Sequence, residues 1–117
     1  MHGSTVWFFP DGDLPPRGER EPHGHESLII LNPNERDAAV TITVYFETDP
    51  PVVLQPQTVE AERVRCFRLD RPIAGFSIPY GQYALRAASD TPMVCQIGRM
   101  DVRQANLAYY TVMGHPG

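Results

Sequence analysis

Two histidines and a glutamate in the stretch His23-Gly24-His25-Glu26 are the residues best suited to metal binding or catalysis. Two imidazoles at positions i and i+2 of a strand point the same way, so His23 and His25 together can chelate one metal ion. The carboxylate of Glu26 would have to approach from the other face. The stretch alone leaves four interpretations open: a metal site, a catalytic site, a ligand-binding corner or a polar turn.

A cupin-like, metal-dependent enzyme is the alternative that rests on these histidines alone. Such a site needs a further glutamate a few residues on and a third histidine on a later strand. Here the apolar run 28–31 follows directly, and the only later histidine is His115 near the chain end. Pro22 and Gly24 also favour a loop over a regular strand. We therefore predict no metal and no other cofactor.

Nucleophilic catalysis has no better support. The serines at positions 4, 27, 77 and 89 lie outside any G-x-S-x-G elbow. Among the fourteen acidic residues, no spacing identifies a pair of carboxylates for general acid–base catalysis. We predict that the protein is not an enzyme.

A second polar cluster lies at residues 96–104. Arg99, Asp101 and Arg103 alternate with other residues, so on a strand continuing from Met93 they would share one face. This pattern suits a solvated edge with charge pairing, or a helix start with a capping box. It equally suits a pocket in which arginine forks bind hydroxyls or a carboxylate.

Trp7 is the only tryptophan and lies in an aromatic run. Core packing is the default for such a residue. The alternative is a stacking platform for a sugar ring, since the indole ring is flat and its N–H requires a partner.

The bulk composition fits one globular domain spanning residues 1–117. No run of 18 apolar residues is present, and residues 1–13 lack a basic segment, so we expect a cytoplasmic protein. The basic residues are ten arginines with no lysine, and the net charge is −4. This balance argues against a nucleic-acid partner. Cys66 and Cys95 lie in apolar runs and are expected to be buried and unpaired.

The clearest structural element is a strand at 40–47, in which Val40, Ile42, Val44 and Phe46 alternate with polar residues. The apolar run 27–31 predicts a strand that is buried on both faces. Turn-forming residues separate the two, which predicts a hairpin. Further strands are predicted at 5–9, 52–55, 63–69, 83–88, 93–98 and 107–113.

Strands recur about every ten residues, and prolines and glycines separate them. This spacing predicts an all-β, antiparallel, jelly-roll-like β-sandwich of about eight short strands. The irregular alternation at 63–69 indicates an edge position or a bulge. Only residues 101–108 allow a short helical turn.

Three collinear segments together resemble the sensory rhodopsin transducer family. They are Trp7 with 11–16, then 25–32, then Gln96 with 99–104. The resemblance covers essentially the whole chain. It implies a β-sandwich that assembles as a cyclic tetramer. It also implies either coupling to a membrane photoreceptor or binding of a small molecule, a sugar above all.

The polar positions of the family fall on eight residues of this chain: Trp7, Asp11, His25, Glu26, Arg99, Asp101, Arg103 and Gln104. By this resemblance Glu26 orients an arginine of the 99–104 segment, and His25 meets the ligand. The leading hypothesis is a small-molecule-binding sensory module for a carbohydrate or sugar acid. The alternatives are a signalling adaptor that docks on a membrane receptor or another protein, and the cupin-like enzyme.

Overall fold

The computed structural model describes residues 1–117 and consists of strands, turns and loops. Nine strands, all in antiparallel pairs, form two sheets that share one long strand. They are β1 (Ser4–Leu14), β2 (His25–Asn32), β3 (Ala38–Tyr45), β4 (Val52–Val53), β5 (Gln57–Val59), β6 (Arg63–Arg68), β7 (Gly81–Asp101), β8 (Ala108–Met113) and β9 (His115–Pro116). The predicted all-β antiparallel sandwich is confirmed. No helix of the chain has the length and apolarity needed to cross a membrane.

Sheet A contains β3, the first half of β7, β1 and β9 in that order, with β4 and β5 both paired to the outer side of β3. Sheet B contains β6, β2, the second half of β7 and β8. The outer edge of β1 is paired with the two residues of β9 at Trp7 and Phe8, and the N–H of Gly117 donates to the Val6 carbonyl. The rest of that edge needs other hydrogen-bond partners.

β7 is a single strand of 21 residues where the sequence predicted two. Its first half pairs with β3 as far as Ser89, and its second half pairs with β2 from Val94 onward. Pro92 lies where the strand passes from one sheet to the other. A proline is tolerated there because no ladder hydrogen bond from its nitrogen is needed. The break predicted at this proline was therefore wrong.

The core lies between the sheets and is one cluster of twenty buried apolar side chains. In β3, Val40, Ile42 and Val44 are fully buried, and Phe46, just after the strand, is partly buried against the core. The predicted inward positions Val40, Ile42 and Val44 are confirmed, but Thr43, predicted to face outward, is also buried, and the strand ends at Tyr45.

The predicted hairpin of β2 and β3 is wrong, since β2 belongs to sheet B and β3 to sheet A. Their connection is a corner between the sheets. The Asn32 side-chain amide holds this corner by donating to the carbonyls of Arg36, Val59 and Glu60. Turn-forming residues mark where a chain changes direction, but they do not determine which sheet receives the next strand.

Parts of β2 and β6 that were predicted to be buried are exposed on the outer face of sheet B. β2 is not buried on both faces, because Leu31 is exposed and Ile29 is half-buried there. Cys66 is also exposed, because it lies on β6, which is an edge strand. Cys95 is buried as expected, and burial raises the pKa of its thiol to about 12.

The segment between β7 and β8 turns without forming a helix. Asp101 accepts the N–H of Arg103, as a capping residue would, but the chain reverses directly into β8 at Ala108. Pairing of β8 with β7 supplies the backbone hydrogen bonds that a helix would otherwise make.

Two neighbouring phenylalanines of β1 give a test of the core. Phe9 is fully buried and Phe8 is 39% exposed. Phe9→Ala should lower the free energy of unfolding by about 3–5 kcal/mol, because it removes buried contacts and leaves a cavity. Phe8→Ala is the matched control and should cost clearly less in denaturant unfolding. Equal losses for the two variants would contradict the assigned facing of β1.

Candidate ligand-binding site

A carboxylate shielded from solvent lies near the start of β2, where Glu26 is 0% exposed. Its Oε1 accepts hydrogen bonds from the Tyr83 hydroxyl at 2.6 Å and from the Asp13 N–H at 3.2 Å. Its Oε2 accepts a hydrogen bond at 2.6 Å from Nε of Arg99, with which it forms an ion pair. Both oxygens are satisfied, as a buried charge requires.

Arg99 is itself buried, and its three nitrogens are all engaged within the chain. Besides the bond to Glu26, Nη1 donates to the Tyr110 hydroxyl at 3.0 Å and Nη2 donates to the Asp11 carbonyl at 2.8 Å. The guanidinium carbon also lies 5.2 Å from the centroid of the Tyr110 ring, a cation–π contact. Arg99 therefore joins structural elements and has little capacity left for a ligand.

The ion pair completes the free edge of β1. Glu26 accepts from the N–H of Asp13, and Arg99 donates to the carbonyl of Asp11, as a neighbouring strand would do. Glu26 and Arg99 belong to sheet B, whereas β1 belongs to sheet A. The pair therefore fastens the two sheets together at this end of the sandwich.

Tyr83 reaches Glu26 across the position where β1 carries Gly12. A Cβ at Gly12 would stand only 2.5 Å from Cζ of Tyr83, so glycine leaves the room that the ring needs. Burial, together with the Glu26 carboxylate, raises the pKa of Tyr83 far above its ordinary value. The hydroxyl therefore stays protonated and remains a donor to Glu26.

His25 and Glu26 are neighbours on β2 and so point to opposite faces of sheet B. His25 is half-buried, and its Nδ1 lies 2.8 Å from the carbonyl of His23. His23 lies in the loop before β2, where its Nε2 accepts a hydrogen bond from Arg17 at 3.2 Å. Gly24 lets this loop close on the preceding main chain, where a Cβ would overlap.

The two histidines lie in different local structures. The loop predicted from Pro22 and Gly24 is present, so His23 lacks the strand geometry that would align it with His25. Across residues 1–117, no group of three or more His, Cys, Asp and Glu side chains is placed to hold a metal ion.

An open cleft of about 540 Å³ lies between the loop 18–22 and the turn 102–107. We refer to it as the cleft. Its charged and amide side chains are Glu19, Arg20, Glu21, Arg103 and Gln104. Polar groups on both walls of an open concavity suit a small hydrophilic ligand.

The wall formed by the 102–107 turn is held by side-chain and main-chain bonds. Nε of Arg103 donates to Oδ1 of Asp101 at 3.0 Å, and this guanidinium holds the pKa of Asp101 below its usual range. The carbonyl of Gln104 accepts the N–H of Leu107 at 3.1 Å and closes the turn. Nη2 of Arg103 also donates to Oδ2 of Asp101. The side chain remains 54% exposed, and Nη1 has no partner within the chain.

The eight residues predicted for the site are divided among separate places. Glu26, Arg99 and the main chain of Asp11 meet in the buried network. Arg103 and Gln104 line the cleft, and Asp101 holds Arg103 there. His25 lies on the outer side of β2.

Trp7 lies in the middle of β1, opposite Ala87 and Pro116. Its ring packs against the core, and its indole N–H donates to the Met93 carbonyl at 2.8 Å. Core packing, the default interpretation, is therefore what the structure contains. The side chain of Asp11 is exposed and accepts a weak bond at 3.4 Å from Gln82.

Sequence reasoning missed the two tyrosines of the network and the facing wall of the cleft. Tyr83 occupies an inward position of a predicted strand, and a buried tyrosine hydroxyl needs a partner, so a signal for it existed. Tyr110 and the loop 18–22 carry no comparable signal, because only the fold brings them to their partners.

Comparison with known proteins agrees with this architecture. The family model described as Anabaena sensory rhodopsin transducer matches residues 2–116. The chain belongs to this family. This match confirms the family resemblance that three segments of the sequence indicated, and it identifies the chain as a sensory rhodopsin transducer domain. No protein of curated function matches it.

Two solved structures resemble the transducer domain closely. The crystal structure of Thermotoga maritima 1070 has a TM-score of 0.89 and 33% identity, covering 100% of this chain and 97% of that one. The Anabaena sensory rhodopsin transducer has a TM-score of 0.76 and 35% identity, covering 90% of this chain and 95% of that one.

A double-mutant cycle tests the buried pair. Glu26→Met and Arg99→Met should each lower the free energy of unfolding by about 3–5 kcal/mol, because each leaves one uncompensated buried charge. The double variant should lose less than the sum of the single losses, as measured by denaturant unfolding. The exposed pair of Asp101 and Arg103 is the control and should show much weaker coupling. Additive losses at Glu26 and Arg99 would contradict the bridging role.

Proposed function

We propose that this transducer-family chain is a non-enzymatic sensory module that binds a small sugar or sugar acid in the cleft. The observation that carries the proposal is that Arg103 and Gln104, two predicted ligand residues, line the cleft opposite three charged residues. Guanidinium, amide and carboxylate groups together supply the donors and acceptors that sugar hydroxyls need.

A ligand in the cleft would act on the fold through the 102–107 turn. This turn connects β7, which carries Arg99, to β8, which carries Tyr110, and these two side chains are hydrogen-bonded. A shift of the turn would be felt at Glu26, where the two sheets are fastened. In this proposal the module works in the cytoplasm, and a partner protein reads the altered surface.

Ligand binding can be tested by thermal unfolding with glucose, glucuronate and zinc as separate probes. A ligand at about 100 times its dissociation constant stabilises the native state by roughly 2.7 kcal/mol, a readily visible shift. Arg103→Ala should weaken sugar or sugar-acid binding by about 10-fold or more, since a charged hydrogen bond is lost. Arg86→Ala removes the same charge elsewhere and should leave binding unchanged.

Two results would contradict this proposal. One is the absence of any sugar or sugar-acid shift in the wild-type protein. The other is a zinc shift that Gln104→Ala and Arg103→Ala leave intact but His23→Ala abolishes, which would favour the cupin-like alternative.

We further propose that the module is a homo-oligomer, and the family resemblance makes a tetramer the expected form. β8 supports this proposal, because it is an edge strand of six uncharged residues with Tyr109 and Met113 exposed. Such an edge presents unpaired backbone groups that readily pair with another strand. The opposite edge of sheet B, β6, carries three arginines, and charged edges resist this pairing.

The second candidate function is a signalling adaptor that docks on a membrane photoreceptor or another protein. The description of the matching family favours it, and so does the apolar outer face of sheet B. Leu31, Val64 and Val94 are all exposed on that face. In the second function a different protein covers this face, whereas self-association in the first is assigned to the edge strand β8.

Light scattering after size-exclusion chromatography tests the assembly. Thr111 lies in β8 and is exposed, so Thr111→Lys should place charges at the subunit contact and lower the mass from the wild-type oligomer. Thr58→Lys on the exposed edge strand β5 is the matched control and should keep the wild-type mass. An unchanged mass for Thr111→Lys would contradict the β8 contact. A monomeric wild type would contradict self-association.

A further inference from the structure

A second concavity lies at the opposite edge of sheet B from the cleft, beside β6. It has a volume of about 270 Å³ and is lined by three of the ten arginines: Arg65, Arg68 and Arg71. We refer to it as the arginine pocket. Phe67 and Ile73, both buried, form part of its apolar wall. None of its residues belongs to the cleft or to the Glu26 network.

Arg65 is held in place before any ligand arrives. Its Nη1 donates to the Thr58 carbonyl at 2.7 Å, and its Nη2 donates to Oε1 of Gln57 at 3.3 Å. Its guanidinium carbon lies 4.4 Å from the centroid of the Phe67 ring, so the planar group is stacked on an aromatic face. Its Nε remains without a partner in the chain.

Arg68 is fixed in the same way by a carboxylate. Its Nε and Nη2 donate to the two oxygens of Asp70, both at 2.8 Å, in a bidentate pair. Nη1 stays available. Such a fork lowers the entropic cost of binding, because the guanidinium is already oriented.

Arg71 is different, because its side chain makes no hydrogen bond or ion pair within residues 1–117. Arg65 and Arg68 leave opposite faces of β6, so these two and Arg71 surround the free edge of that strand. The one carboxylate paired with any of them is Asp70, which Arg68 binds. The local excess is two positive charges, in a chain whose net charge is −4. A carboxylate ligand would balance only one of these charges, whereas a phosphate monoester dianion would balance both.

We propose that the arginine pocket binds the phosphoryl group of a small phosphorylated molecule or free phosphate. Arginine forks match the oxygen geometry of phosphate and can bind it bidentately. The volume lies just below the usual range for drug-sized ligands, about 300–1,000 Å³, so the pocket accommodates a phosphoryl group with a small attached moiety. Pro72 and Ala74, which are exposed and also line the pocket, supply an apolar surface for that moiety.

Isothermal titration calorimetry at low salt tests the proposal, with inorganic phosphate, glucose 6-phosphate and glucose as separate probes. Phosphate or glucose 6-phosphate should bind the wild-type protein, and Arg71→Ala should weaken this binding by about 10-fold or more. Tighter binding of glucose 6-phosphate than of phosphate would identify a phosphorylated metabolite as the source. Arg71 is exposed, so its replacement should not disturb folding, which circular dichroism checks.

Two controls separate this pocket from the cleft. Arg86→Ala changes the net charge equally and should leave phosphate binding unchanged. Arg103→Ala should also leave it unchanged, whatever it does to the binding of glucose or glucuronate. Absence of phosphate binding, or equal loss in Arg71→Ala and Arg86→Ala, would overturn the proposal. Loss in Arg103→Ala alone would assign the phosphorylated ligand to the cleft.

Discussion

The ion pair of Glu26 and Arg99 is the interaction on which the arrangement of this protein depends. A charge removed from water is tolerated only where partners replace its hydration. Here those partners are Tyr83, Tyr110 and the backbone of β1, so satisfying the two charges also fastens sheet A to sheet B. The same ion pair therefore stabilises the fold and sets how the two sheets meet at this end of the sandwich. A disturbance at this corner reaches both sheets.

The path of β7 makes this coupling possible. One strand of 21 residues begins in sheet A, changes partners around Pro92 and ends in sheet B. Tyr83 near its start and Arg99 near its end therefore meet at the same carboxylate, although sixteen positions separate them. The strand continues into the 102–107 turn, which places the wall of the cleft directly after the buried pair.

Arginine has different physical roles in different parts of this fold. Arg99 is buried, and each of its three nitrogens donates to another part of the chain, so it acts as a structural bridge. Arg103 is tethered by Asp101 but largely exposed, which suits contact with hydroxyl groups in the cleft. Arg65 and Arg68 are pre-oriented around a pocket with excess positive charge, which suits a phosphoryl group. The surroundings decide which role the same side chain takes.

The amino-acid sequence by itself determined the fold class, the inward residues of β3 and the membership of the family. Alternation and the order of motifs can be read along the chain, because neither depends on which distant residues come into contact. The sequence did not determine the partner of β2, the continuity of β7 or the exposure of Cys66. Those depend on which strands meet across the sheets. The candidate site divides in the same way. The pairing of Glu26 with an arginine followed from the family resemblance. The facing loop 18–22, the tyrosines and the arginine pocket were decided by tertiary structure alone, because long-range packing brings together residues that no local pattern connects.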